Sequence, residues 1–189
     1  VPDGAWLYRI DAPRALLGGA TPEGGNLFAW LRTLLQLPED DALEAALAAL
    51  QPAQHGLTVL PFVAGERAPG WREDARAAFT GLSLHTQPID ILQSGLEAIA
   101  YRFALIYQRI LPQLPTNVDH EIIAGGGGLL SSSAWLQIMA DVLGRPVHTL
   151  AEKEGTSRGL ALLALEQLGV IRRASELAPA LGMTYRPHS

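Results

Sequence analysis

Four consecutive glycines, Gly125 to Gly128, separate the apolar stretch Glu121 to Ala124 (EIIA) from three consecutive serines, Ser131 to Ser133. Glycine lets a backbone approach a ligand closely and adopt positive φ. A helix starting just beyond it offers unpaired N–H groups and a partial positive charge. A strand–glycine–helix turn of this kind can therefore seat an anion or a nucleotide. The same residues also suit tight strand–helix packing with a serine cap. Residue types alone leave both readings open.

Two phosphate-binding patterns can be tested on this stretch. The P-loop requires Gly, four residues, then Gly-Lys-Ser/Thr. Lys153 is the only lysine and lies beyond the next apolar run, so that motif is absent. The dinucleotide pattern requires G-x-G-x-x-G. Counted from Gly126 and Gly128 the last position is Ser131, and from Gly125 and Gly127 it is Leu130. Neither register completes the pattern. Glu152 does fall near the end of the following strand, where a ribose-binding acid would stand, so a Rossmann-type reading is weakened rather than removed.

Other chemistry-bearing residues are less informative. His55, His85, His120, His148 and His188 show no ligand spacing, and no protein-built metal site is expected. No carboxylate pair has a convincing acid–base layout, and Ser131–Ser133 lack the nucleophile-elbow frame. Glu66 and Arg67, in a Gly- and Pro-rich loop, read as cleft-mouth residues or as an internal ion pair pinning that loop; the second is commoner. Trp71 and Trp135 read as core packing before stacking platforms. Arg158 reads as a solvated helix arginine before a phosphate ligand.

The elements that must position these residues follow from pattern. The chain has 189 residues, 48% of them apolar, which suffices for a buried core in one generous or two small domains. No apolar run is long enough to cross a membrane. Cysteine is absent, which fits a reducing compartment. The net charge of −5 and the lack of a basic stripe argue against phosphate-backbone binding to nucleic acid. The opening at Val1 shows no signal peptide, and the chain reads as a fragment.

Trp6–Ile10 and Arg14–Gly19 predict a hairpin. Helices are expected over 24–35, over the acid-led stretch after Pro38, and from Pro88 to the prolines at 112 and 115. In this last helix Ile91, Leu92, Leu96, Ile99, Ala100, Phe103 and Ile106 fall on one side. Strands are expected over 57–63, 76–84, 121–124 and 145–150. A helix to Leu143 follows the glycines, closed by Gly144, and another runs from Thr156 to Leu168. The last twenty residues read as mixed and peripheral. The second half thus alternates β-α-β-α-β-α, which predicts right-handed crossovers and a sheet with helices on both faces.

The segment GGGGLLSSSAWLQIMADVLGRPV resembles the adenosine-binding segment of the FGGY carbohydrate kinases. Upstream, LPFVAGERAPGWREDARAAFTGLSL is similar to that family's "P…GER.P.W.P.ARG…GL" stretch. Ala77 to Glu97 follows its C-terminal signature, with Gly95 where a slightly larger residue is usual. EGTSRGLALLAL resembles the closing helix, with Leu160 in place of an alanine. The opening YRIDAPRALLGGATPEGGNLFAWL looks most like the gluconate kinase branch, then the xylulose kinase branch. The resemblance covers roughly Val1 to Gly169.

The resemblance implies an α/β, ribonuclease H-like (actin-like ATPase) domain with a mixed sheet and helices on both faces. Residues 1–189 would be the C-terminal, nucleotide-side lobe of a two-lobed sugar kinase. The N-terminal lobe, absent from this chain, would carry the general-base aspartate, and a Gly-Thr-Ser loop would lie upstream of Val1. The implied activity is ATP-dependent phosphorylation of a sugar or sugar acid, gluconate before xylulose, in the cytoplasm. The fragment alone would be inactive. Its partners would be its own N-terminal lobe, ATP with Mg²⁺ and the sugar, with no nucleic acid or membrane; a homodimer is left open. The positions carried over are Gly126, Gly127, Gly128 and Ser132 at adenosine, and Ser83, His85 and Ile89 bordering the nucleotide. Glu66 and Arg67 would face the sugar. The alternatives are a non-catalytic nucleotide-binding or regulatory module of the same fold, a Rossmann-type dinucleotide-binding domain, and a scaffold lobe.

Overall fold

The computed structural model describes residues 1–115, 119–152 and 154–188. The expected hairpin is present: β1 (Trp6–Arg9) pairs antiparallel with β2 (Ala15–Gly18). Arg14 closes its turn and bridges Asp11 to Glu166, far along the chain. The helices α1 (Gly25–Leu34) and α2 (Asp40–Ala48) follow, each burying two leucines four residues apart. Asp40 and Asp41 stand in the first turn of α2, where they complement the helix dipole.

The next two strands are shorter than the apolar runs predict. β3 (Thr58–Leu60) pairs antiparallel with β4 (Ala78–Thr80) in a sheet of their own. The second strand therefore does not join the alternating β-α-β sheet. Glycine ends this ladder: Gly81 has φ +88, and a Cβ there would lie 2.6 Å from the Gly56 carbonyl oxygen.

The long helix α3 (Pro88–Ile110) is the centre of the molecule. It starts with Pro at its first position and a capping box between Gln87 and Asp90. Residues 92–100 are buried on every side, more than the one-sided stripe predicts. Its polar residues there are satisfied. Gln93 donates to the Gln51 carbonyl at 3.0 Å, Ser94 to the Ile91 carbonyl at 2.8 Å, and Glu97 accepts from the Ala53 N–H at 3.1 Å and from His55 at 3.2 Å. Because the His55 Nδ1 accepts the Leu57 N–H at 2.9 Å, its Nε2 carries the proton given to Glu97. Gly95 has a packing reason: a Cβ would approach Leu31 Cδ1 to 2.8 Å, so α1 sits close on α3.

The sheet that carries the glycines has the order β5 (Ile122–Ala124), β6 (Val147–Leu150), β7 (Leu181–Tyr185). β5 and β6 are parallel, whereas β6 and β7 are antiparallel. The sheet is mixed, as expected, and among the described residues β5–β6 is its one parallel pair, short of the run of parallel strands a Rossmann domain needs. The last twenty residues, exposed or half-buried throughout their described length, still supply an edge strand: Leu181–Tyr185 pairs with β6. One helix was expected between β5 and β6, and two occur. α4 (Gly127–Leu130) stops at Ser131, and α5 (Ser133–Leu143) begins after Ser132, whose backbone is extended. Gly144 ends α5 in the left-handed conformation, φ 63°. Helix cover is uneven. α5, backed by α3, packs on β6 and β7 and buries Trp135, Leu136 and Met139, whereas α6 (Gly155–Gln167) buries no residue.

Candidate functional site

At the carboxyl ends of the parallel strands β5 and β6 the chain leaves the sheet twice, and between the two exits lies a cavity of about 740 Å³. Clefts of this size hold drug-sized ligands, and open α/β sheets bind them at this end. β5 runs into the glycines; Gly126 has φ +96, and the missing Cβ atoms of Gly125, Gly126 and Gly127 would meet nothing within 4 Å. The turn is therefore bare on its cavity side. Ile123, Leu130 and Leu150 give aliphatic surface, and Ser131 gives a hydroxyl. The far exit contributes Glu152, Glu154, Gly155 and Thr156, the last two opening α6. Glu154, at the N-cap of α6, makes no side-chain cap, so the first N–H groups of that helix are not taken up by it. Lys153 lies outside the described residues.

The structure separates the carried-over positions. Gly126 and Gly127 line the cavity. Gly128 does not: its absent Cβ would stand 2.8 Å from the Cα of Gly25, so this glycine lets α1 meet α4. Ser132 does not line the cavity either. It is 1% exposed, and its Oγ accepts the Trp135 N–H at 3.1 Å. Glu44 of α2 accepts the Ala134 N–H at 3.1 Å. The start of α5 is thus satisfied from within and offers a ligand little. Ser131, one residue earlier, is the serine on the cavity. Ser83, His85 and Ile89 lie off the cavity, at the start of α3. The Ser83 Oγ accepts the His85 N–H at 3.2 Å, and Ile89 packs on the core. Sequence reasoning did not single out Ser131, Glu154, Gly155 or Thr156. The usable signal was the parallel β5–α–β6 unit, since its two strand ends must open on the same edge.

The Glu66–Arg67 loop is arranged differently. Glu66 is buried and pairs with Arg102 of α3, not with Arg67. Arg102 also donates to the Ala68 carbonyl at 3.1 Å and lies 5.0 Å over the Phe62 ring. Buried Glu23 stands in the same charge cluster and accepts the Ala64 N–H at 3.4 Å. Burial pushes the Glu23 carboxyl up; its backbone hydrogen bonds and Arg102 oppose this, and Glu66 adds to it. Arg67 is exposed over Trp71, 5.7 Å from the ring centroid. Trp71 itself is 46% exposed with φ 53°, held by a 3.0 Å bond from its indole N–H to the Gly4 carbonyl. The core packing expected of it is found only for Trp135, which is 2% exposed and stacks on Phe28. Arg158 is engaged within the protein: it donates to the Leu177 carbonyl at 2.9 Å and lies 3.7 Å from Glu152.

Residues 3–168 match the model of the C-terminal domain of the FGGY family of carbohydrate kinases, and the chain belongs to that family. It is 26% identical to a gluconokinase of Bacillus subtilis over 96% of its length and 37% of that protein's. It is 33% identical to a glycerol kinase of Polaromonas sp. over 88% of its length and 34% of that protein's. Solved structures of a ligand-bound xylulose kinase and of a gluconate kinase, both from Lactobacillus acidophilus, each superpose with TM-score 0.82 at 28% identity over 98% of the chain. The chain spans a little over a third of the length of these relatives. Their fold is the one the mixed sheet and its helices display.

Proposed function

We propose that this chain is the nucleotide-side lobe of an ATP-dependent kinase that phosphorylates a sugar or sugar acid, gluconate before xylulose. The observation that carries this reading is the open cavity over Gly125–Gly127, in a chain of the carbohydrate-kinase family. Its lining suits a nucleoside: bare backbone and aliphatic side chains for a base, hydroxyl and carboxylate groups for polar edges, and the start of α6. Among the described residues no arginine lines it. Transfer of a phosphoryl group relies on positioning and electrostatics. A carboxylate of the N-terminal lobe takes the acceptor hydroxyl's proton. This lobe holds the nucleotide so that its terminal phosphate stands in line. Mg²⁺ enters with the nucleotide, as MgATP. Glycerol is the competing acceptor, given the glycerol kinase relatives.

Calorimetry on the chain with ATP, ADP and NADH tests the nucleotide reading. ATP and ADP are expected to bind. Gly127→Leu, which fills the cavity from a position with free space, should weaken both at least about tenfold without lowering the unfolding temperature. Binding of NADH in place of ATP would overturn the assignment. In the full-length protein, a coupled assay with gluconate, xylulose and glycerol names the acceptor; glycerol as the best substrate would remove the gluconate preference.

A further inference from the structure

We propose that Glu152 is the ribose receptor of the cavity, a specificity residue that makes it prefer a nucleoside with an intact 2′,3′-diol. This inference rests on the nucleotide-lobe reading. Glu152 lies two residues beyond the end of β6 and lines the cavity. Its Oε1 is 3.7 Å from the Arg158 Nε, and Arg158 is fixed in turn by its 2.9 Å bond to the Leu177 carbonyl. The carboxylate thus stands at ion-pair distance, not hydrogen-bond distance, from a cation that is itself hydrogen-bonded to the backbone. It is also reachable, with a side chain 42% exposed, and neither of its oxygens makes a hydrogen bond among the described residues.

The chemistry of this arrangement is selective. A carboxylate only accepts, and a vicinal diol presents two O–H donors at neighbouring carbons. The same carboxylate repels a phosphate. The cavity's charged lining among the described residues is two glutamates and no arginine. Repulsion between Glu152 and the phosphates favours the orientation that places the ribose at Glu152. The second carboxylate, Glu154, has no comparable support: only its backbone carbonyl meets Arg158, accepting that N–H at 2.9 Å. Of the two carboxylates, Glu152 is the one with a cation beside it.

Ligand-observed NMR titration into the millimolar range tests this with adenosine, 2′-deoxyadenosine and 3′-deoxyadenosine. Wild-type chain is expected to bind adenosine about tenfold or more tightly than either deoxynucleoside, the order of one hydrogen bond to a charged acceptor. Glu152→Ala should bring the three affinities together. Arg158→Ala should shrink the preference while leaving deoxyadenosine binding unchanged. Equal affinities in the wild type, an equal loss for all three in Glu152→Ala, or loss of the preference in Glu154→Ala instead would overturn the role of Glu152 and leave the nucleoside cavity standing. No adenosine binding by the wild type, or binding that Gly127→Leu leaves intact, would overturn the cavity reading and this inference with it.

Discussion

A methyl group added at Gly127 would meet nothing within 4 Å, whereas one at Gly128 would stand 2.8 Å from the Cα of Gly25. The two neighbours thus have different reasons to be glycine, one facing the open cavity and one a backbone. Gly127→Ala is expected to unfold within about 0.5 kcal/mol of the wild type, since nothing is displaced. Gly128→Ala should be destabilised by about 1–3 kcal/mol, because backbone cannot step aside as a flexible side chain can. Denaturant unfolding of the two variants measures the difference; similar losses in both would remove this account of the glycine run. The sequence showed four equal letters here, and nothing in their spacing distinguishes them. The serines behave likewise: Ser132 is spent on the Trp135 N–H, and Ser131 faces the cavity.

At the scale of elements, α3 ties down the loop between β3 and β4 together with the loop's own hydrogen bonds, such as Glu66 N–H to the Arg72 carbonyl at 2.8 Å. Arg102 reaches Glu66, the Ala68 carbonyl and the Phe62 ring, and Glu23, just before α1, accepts from Ala64. Burial raises the Glu23 carboxyl above its usual range. A carboxyl raised in the folded state gives stability that is complete below its unfolded pKa and is lost as pH rises through the folded one. Glu23→Gln keeps an acceptor for the Ala64 N–H and cannot ionise. Its unfolding temperature should therefore gain on the wild type as pH rises from about 4 to about 7. A constant difference across that range would show that Glu23 is not taxed by its surroundings. The alternation of apolar runs correctly announced strands and helices in this half of the chain. It could not say that Ala78–Thr80 pairs back on Thr58–Leu60, because strand pairing depends on which edges meet.

The whole molecule divides labour between a packed side and an open side. α1, α2, α3 and α5 share one core around Leu27, Leu31, Leu92, Leu96 and Trp135. The cavity lies beyond the strand ends, where β5 and β6 stop. If catalysis requires a base from the other lobe, the 189-residue chain alone should phosphorylate no gluconate even at saturating MgATP. Turnover by the purified chain would place a base inside it and overturn the division between lobes. The sequence by itself determined the family, the α/β class, most helix spans and the place of the glycine turn. These depend on local chemistry: residue type, short periods, caps and glycine's freedom. Only the tertiary structure decided which glycines and which serine face the cavity, that Glu66 belongs to Arg102, and that Leu181–Tyr185 completes the sheet. Each of those is a contact between distant parts of the chain, and its partner is chosen by how the elements pack around α3.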